Sequence, residues 1–389
     1  MNSKEIIKAE EKYFINTFNR QPIVLDRGQG SIVYDKDEKK YIDFLAGIAV
    51  NSLGHSHPKV VEAIKKQSEN LIHISNIYYN EQSVILAEKL TTISSLDKIF
   101  FCNSGTEANE GAIKLALKHT GKSEIIAMKN SFHGRTIAAL TATGQDEYKK
   151  DYLKNLPHGF KHAEFGDIES IKKVITENTA AIIIEPIQGE GGINIASKEF
   201  YNELSKLCKE KEILLILDEI QTGFGRCGVM FAKELFNLDP DIMCIAKTMG
   251  GGIPIGGILA KEEIANTFSP GDHGTTFGGG PLVCAASNAV VDTIIEEKLV
   301  EKSYETGKYF KNKLMVLKEK HSKIKEVRGY GLMLGVEIDE PCGKYVDILR
   351  EKGFLINCTA KNILRFLPPL IITTEEIDKL IDVLDEVIK

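Results

Sequence analysis

Lys247 and Asp218 are the residues on which chemistry can be built. Lys247 follows the apolar run Asp241-Ile242-Met243-Cys244-Ile245-Ala246 and precedes Thr248-Met249-Gly250-Gly251-Gly252-Ile253-Pro254. That reads as a strand end facing a glycine-rich turn, where backbone approaches a ligand closely. Twenty-nine residues upstream, Ile213-Leu214-Leu215-Ile216-Leu217 ends in Asp218-Glu219-Ile220-Gln221. Two strand ends thus offer an amine and a carboxylate to one crevice. The pairing suits an aldehyde cofactor with a basic ring nitrogen: the lysine forms a Schiff base and the aspartate keeps the ring protonated as an electron sink. Pyridoxal phosphate meets that description.

Other residue types fit around this pair. Ser104-Gly105-Thr106-Glu107-Ala108-Asn109 is a cap followed by good helix formers, and the free N–H groups of a helix start, beside hydroxyls, suit a phosphate. The same spacing of Ser104 and Glu107 also reads as an ordinary capping box. Phe132, just before Gly134, is either a core aromatic or a ring stacked flat on a cofactor, with Arg135 reaching a substrate carboxylate. Thr275 and Thr276 offer hydroxyls to an anion. Arg365 lies in an otherwise apolar stretch, Asn362-Ile363-Leu364-Arg365-Phe366-Leu367, so it demands a counter-charge, from a structural salt bridge or from a substrate. Gly223-Phe224-Gly225-Arg226 and Gly278-Gly279-Gly280-Pro281 read as flexible loops. One decoy is set aside: Asp218-Glu219 with Gly121-Lys122-Ser123 resembles the parts of a nucleotide hydrolase, but Ala116 stands where that loop needs its first glycine and the triplet follows a helical segment.

These residues need a scaffold that gathers strand ends. Short apolar runs alternate with longer helical patterns, the signature of an α/β fold with a mostly parallel sheet. The runs at 98 to 102, 125 to 128 and 180 to 184 lead into Asn103-Ser104-Gly105-Thr106, Asn130-Ser131-Phe132-His133-Gly134-Arg135 and Glu185-Pro186-Ile187-Gln188-Gly189-Glu190. Ligands of such sheets bind beyond the carboxyl ends of strands, so these clusters converge with Asp218 and Lys247. Residues 31 to 44 look like a hairpin with a charged turn. Residues 331 to 338 look like a strand, and a charged helix starts at Glu375. The expected division is 1–55 and 285–389 as two parts of one smaller α+β lobe, with 56–284 as the large cofactor-binding domain.

Composition bounds the rest. The 389 residues are 43% hydrophobic and 27% charged with net charge −6, a globular balance without an electrostatic footprint for nucleic acid. The start reads as a helix rather than a secretory signal, and no apolar run has transmembrane length. Seven scattered cysteines with no C-x-x-C argue against a disulfide framework or a zinc site and for a reducing cytoplasm. His55-Ser56-His57-Pro58 reads as a solvated or capping turn before the helix from Lys59, and no metal site is expected.

At this point the chain resembles the class III pyridoxal-phosphate aminotransferases. The resemblance is carried by Ser104–Asn109, Phe132-His133-Gly134-Arg135-Thr136, Glu185–Glu190, Asp218–Gly223 and Leu364-Arg365-Phe366-Leu367-Pro368-Pro369. It implies fold type I of the pyridoxal-phosphate transferases and a two-step, ping-pong transamination to 2-oxoglutarate from a donor with a side-chain amine. In the nearest branch that donor is acetylornithine; ornithine, succinylornithine and 4-aminobutyrate are the alternatives. The resemblance also assigns roles. Lys247 carries the cofactor and shuttles the proton, Asp218 pairs with the ring nitrogen, Gln221 lies near the ring hydroxyl and Phe132 stacks on the ring, with Ser104, Glu219 and Ile220 also at the cofactor. Gly105 and Thr106 hold the phosphate from one subunit and Thr276 from the other, which implies a homodimer. Arg135 and Thr275 contact the donor. Arg365 grips the α-carboxylate of glutamate, with Glu190 as its movable counter-ion. Two departures stand out: Gly225-Arg226-Cys227-Gly228 in place of Gly-Arg-Thr-Gly, and Gly278-Gly279-Gly280-Pro281 in place of Gly-Gly-Asn-Pro.

Overall fold

Runs such as Thr179–Ile184 and Ile242–Ile245 are buried along their whole length, because strands covered by helices on both faces have no solvent side to alternate towards. The structure, a computed structural model, describes residues 1–388. The N-terminal part contributes β1 (Leu25–Gln29), β2 (Ile32–Asp35) and β3 (Lys40–Asp43), with β2 and β3 forming the expected hairpin through Ile32 opposite Ile42 and Val33 opposite Tyr41. The central sheet contains β4 (Lys98–Cys102), β5 (Glu124–Met128), β6 (Phe160–Ala163), β7 (Thr179–Ile184), β8 (Leu214–Asp218), β9 (Ile242–Ile245) and β10 (Gly256–Ala260). Its order is β4-β10-β9-β8-β7-β5-β6, and only β10 runs against its neighbours. The carboxyl ends of β4, β5, β7, β8 and β9 therefore share one edge, as the α/β reading requires.

The C-terminal part adds β11 (Ile324–Tyr330), β12 (Met333–Ile338), β13 (Phe354–Leu355), β14 (Asn357–Thr359) and β15 (Ile363–Phe366). Four of these form an antiparallel sheet in the order β11-β12-β15-β14, whereas β13 joins β3 in parallel, Phe354 opposite Ile42. The two ends of the chain are thus knitted by backbone hydrogen bonds. Cys284 lies inside the helix Pro281–Glu296, which packs on the helices Pro58–Asn70 and Glu81–Ser94. Phe44, Phe310 and Phe366 interlock edge to face beneath the C-terminal sheet.

Two local expectations need correction. The cysteines are not all free: Cys342 and Cys358 are bonded to one another, while the other five are buried thiols. A pairing across 16 residues leaves no local spacing signal. The Gly223–Arg226 stretch is not a mobile surface loop but is buried throughout. Arg226 is fully enclosed and donates to the carbonyls of Leu332 and Pro368 and to Ser52 Oγ, so this turn after β8 is tied to the C-terminal sheet and to the N-terminal part of the chain. Cys227 packs its sulfur 3.9 Å from that of Met333, an apolar setting that accepts a thiol where a hydroxyl is expected. The His55–Pro58 segment is a turn before the helix Pro58–Asn70, as expected, in which His57 makes no side-chain cap bond and His55 pairs with Asp43 at 2.7 Å.

Candidate active site

The shared strand edge opens on a cavity of about 470 Å³, of the size that takes a cofactor with a small substrate. Ser104, Gly105 and Thr106 line it after β4, Phe132 and Arg135 after β5, Glu190 after β7, Asp218, Ile220 and Gln221 after β8, and Lys247 after β9. Glu219, Thr275, Thr276 and Arg365 are not among its walls; Arg365 lies behind them, bonded to the lining residues Glu190 and Gln221. Successive residues of a strand point to opposite faces, so with Asp218 facing the cavity Glu219 turns inward. There it accepts hydrogen bonds from Thr222 Oγ1 and from the N–H groups of Ala232 and Lys233. Its expected place at the cofactor is therefore corrected to a structural one, and burial pushes its carboxyl up to about 7.

Lys247 occupies the left-handed region at φ 49°, a conformation that costs a lysine on the order of 1–2 kcal/mol. The fold holds it there through the following turn, where Thr248 donates to Ala49 O and pairs with Ser52. Burial pushes the Lys247 amine below the ordinary lysine value, against the opposing pull of Glu190. Among the described residues its Nζ makes no hydrogen bond or ion pair, which leaves the amine for a ligand.

Asp218 is fixed from three directions. Its Oδ2 accepts from Asn109 Nδ2 and His133 Nδ1, both at 2.8 Å, and its Oδ1 accepts from Ile220 N at 3.1 Å. Asn109 also donates to the carbonyl of His133. Asn109 and His133 lie inside motifs already singled out, yet no role is read for them there. The available signal is spacing: Asn109 follows Gly105 by four residues and so shares its helix face.

Gly105 opens the helix Gly105–Thr120, capped by Ser104 Oγ accepting from Glu107 N. Glu107 does not close the capping box; it accepts from Asn103 N and Nδ2 instead, and Asn103 reaches Thr275 Oγ1. A Cβ at Gly105 would lie 2.8 Å from the Ile220 side chain, so only glycine lets this helix start meet the β8 turn. Its first N–H groups, unpaired within the helix, face the cavity beside Thr106. Gly121, part of the hydrolase decoy, is the left-handed cap at the other end of the helix.

Phe132 donates its N–H to Glu185 Oε2, and Glu185 Oε1 accepts from Gly189 N. This carboxylate, pushed up to about 7 by burial, ties the aromatic to the turn that carries Glu190. Arg135 stacks over Tyr148, 3.8 Å from guanidinium carbon to ring centre, a partner outside every motif. Arg365 is fully buried; its Nη1 donates to Glu190 Oε1 at 2.5 Å, its Nε donates to Asn357 Oδ1 at 3.1 Å, and its Nη2 is buried without a partner. Burial opposes ionisation of Glu190, but Arg365 outweighs it and holds the carboxyl below its ordinary value. Gln221 bridges the two, donating to Glu190 at 3.3 Å and accepting from Arg365 at 3.4 Å.

The site fits pyridoxal phosphate on its own terms: an unpaired amine, a fixed buried carboxylate, an aromatic wall and a glycine-cleared helix start surround one cavity. Comparison with known proteins agrees. Residues 15–388 match the family model for aminotransferase class-III. The acetylornithine aminotransferases of Methanothermobacter thermautotrophicus and Aquifex aeolicus are 53% and 50% identical over 100% and 97% of this chain, covering 99% and 100% of their own lengths. Among solved structures, the ornithine aminotransferase of Toxoplasma gondii superposes with a TM-score of 0.95 at 31% identity, covering 99% of this chain and 94% of that one. The acetylornithine aminotransferase of Elizabethkingia anophelis does so with a TM-score of 0.88 at 34% identity, over 100% and 99%. The chain belongs to the class-III aminotransferases, whose cofactor is pyridoxal phosphate.

Proposed function

We propose that this enzyme moves the side-chain amino group of acetylornithine to 2-oxoglutarate in two half-reactions, in arginine biosynthesis. Two kinds of substrate must use one cavity, and the observation that carries the reading is Arg365: one guanidinium nitrogen is neutralised by Glu190 and another is buried without a partner. A buried unpaired donor of this kind is costly unless a ligand meets it. While Glu190 stays paired, the cavity presents little net charge there and Arg135 receives the donor's carboxylate. When Glu190 turns aside, the guanidinium takes the α-carboxylate of glutamate or 2-oxoglutarate as a bidentate fork.

Bound pyridoxal phosphate supplies the aldehyde that captures amino groups and a ring that accepts electrons. Lys247 holds the cofactor, and its amine, lowered by burial, takes and returns the proton at the carbon bearing the amino group. The Asp218 carboxylate would pair with the ring nitrogen, and Asn109, His133 and Ile220 N hold it in place. Phe132 and Ile220 would wall the ring, Gln221 would lie near its hydroxyl, and Ser104, Gly105 and Thr106 would receive the phosphate.

We place Thr276 in a partner's site and read the working form as a cytoplasmic homodimer. Ile77, Tyr78, Tyr79 and Phe277 are exposed apolar side chains. Asn76 binds Thr275 O and Gly278 O, and His73 packs on Phe277, so this surface and the Thr276 loop form one patch. A contiguous apolar surface of this kind marks an interface.

The assay is a panel of acetylornithine, succinylornithine, ornithine and 4-aminobutyrate, each with 2-oxoglutarate. Acetylornithine gives the highest kcat/KM. A higher value for any other donor replaces the substrate assignment, and no transamination with any of them overturns the proposal.

A further inference from the structure

Two of the three residues of the edge strand β14 bond to the Arg365–Glu190 pair. Asn357 lies directly opposite Arg365 in the β14–β15 ladder, and its Oδ1 accepts from Arg365 Nε at 3.1 Å. Thr359 Oγ1 donates to the backbone carbonyl of Glu190 at 2.5 Å. Between them, Cys358 is bonded to Cys342, the residue before the helix Gly343–Glu351. β14 has a strand neighbour on one side only, so the bridge is the covalent anchor of its other side. One end of this short strand therefore orients the guanidinium, the other holds the turn of its counter-ion, and the middle is tied down by sulfur.

We propose that Asn357 and Thr359 are positioning residues for the glutamate half-reaction and that the Cys342–Cys358 bridge sets their grip, which makes the choice between substrates sensitive to a dithiol reductant. This rests on the reading of Arg365 and Glu190 as a substrate switch. Cys358 is part-exposed while Cys342 is buried, so a reductant thiolate attacks Cys358 Sγ and Cys342 Sγ leaves as a thiolate that takes up a proton. The second thiol of the reductant then closes its own disulfide and releases Cys358. Two electrons and two protons pass from the dithiol to the pair. The freed strand keeps its ladder to β15 and the Thr359 bond to Glu190 but loses its covalent anchor, so Asn357 holds the fork of Arg365 less firmly. Oriented polar contacts of this type act steeply on binding.

The test uses the holoenzyme before and after dithiothreitol. Thiol titration of the denatured protein gives five thiols before reduction and seven after, in keeping with one bridge and five free cysteines. Single-turnover kinetics then show the KM for glutamate raised on the order of 5-fold, with the distal-amine half-reaction unchanged. Amide exchange quickens at residues 357–359. Cys358→Ser gives the same pattern without reductant and no longer responds to it. Asn357→Ala raises the glutamate KM whatever the redox state, and Asn357→Asp does not restore it, because its carboxylate competes with the substrate for Arg365. Seven thiols at the start, or equal glutamate kinetics with and without the bridge, overturn the proposal. Arg365→Ala separates the two readings: if it impairs glutamate selectively while reduction changes nothing, the switch stands and the role of the bridge falls. If it impairs both halves equally, the switch itself falls.

Discussion

Arg365 and Glu190 meet at 2.5 Å with unequal access to solvent: the guanidinium is fully buried, and the carboxylate side chain is 21% exposed. Glu190 is thus the half that has somewhere to go. A charge-assisted bidentate contact contributes about 1.5–3 kcal/mol, so Arg365→Ala weakens the glutamate half-reaction at least about 10-fold and spares the donor half. Glu190→Gln keeps the shape, leaves Arg365 charged and shifts preference towards ordinary α-amino donors. Single-turnover rates for each half-reaction check both outcomes; equal losses in both halves for Arg365→Ala leave the arginine a structural residue.

Lys247 is the residue whose removal separates binding from turnover. Borohydride reduction of the holoenzyme followed by peptide mapping places the cofactor on Lys247. Lys247→Ala retains weakened cofactor binding, because the helix start at Gly105 and the walls at Phe132 and Ile220 remain. Turnover falls by many orders of magnitude, since the nucleophile and the proton carrier are lost together. A label on another lysine contradicts the assignment.

Much of the site is legible in the sequence because its residues stand at the ends of strands that are apolar throughout. A run such as Ile242–Ile245 is followed at once by what it delivers. What stays hidden depends on packing. Asn109 and His133 are ordinary residue types, and only the fold shows them meeting at Asp218. Tyr148 comes from a short 3₁₀ turn with no pattern of its own. Cys342 and Cys358 find each other through tertiary structure, and Arg226 looks like a loop residue until the C-terminal sheet closes over it. Glu219 was decidable: if Asp218 faces the cavity, strand alternation sends its neighbour away.

Glu219 makes a stability prediction. In the unfolded chain its carboxyl titrates near the ordinary 4.5, and in the fold burial raises it to about 7. Between those values the folded state binds more protons, so the contribution of Glu219 is fully present below about pH 4.5 and is lost as pH rises to about 7. The loss is on the order of 3 kcal/mol at most, from about 1.36 kcal/mol for each step in pKa. Glu219→Gln does not titrate, so the stability of the wild type relative to this variant declines from pH 4.5 to 7 in urea unfolding. A difference that is flat with pH places the titration elsewhere.

Asp218 carries the last prediction, because two substitutions around it act on different terms. Asp218→Asn removes the charge that favours a protonated ring nitrogen, a perturbation of about 1–3 pKa units for a close ion pair. Turnover falls on the order of 100-fold or more, while Lys247 still takes up the cofactor. His133→Ala leaves the charge and removes one of the three donors that aim it. The loss is smaller, on the order of 10-fold, as for a single charge-assisted hydrogen bond. It also leaves Asn109 and Ile220 N to hold the carboxylate. The double variant tells whether His133 works through Asp218. If it does, adding His133→Ala to Asp218→Asn costs much less than in the wild type, since the charge being aimed is already gone. Full additivity in the double-mutant cycle gives His133 a separate task, and normal turnover in Asp218→Asn removes Asp218 as the partner of the ring.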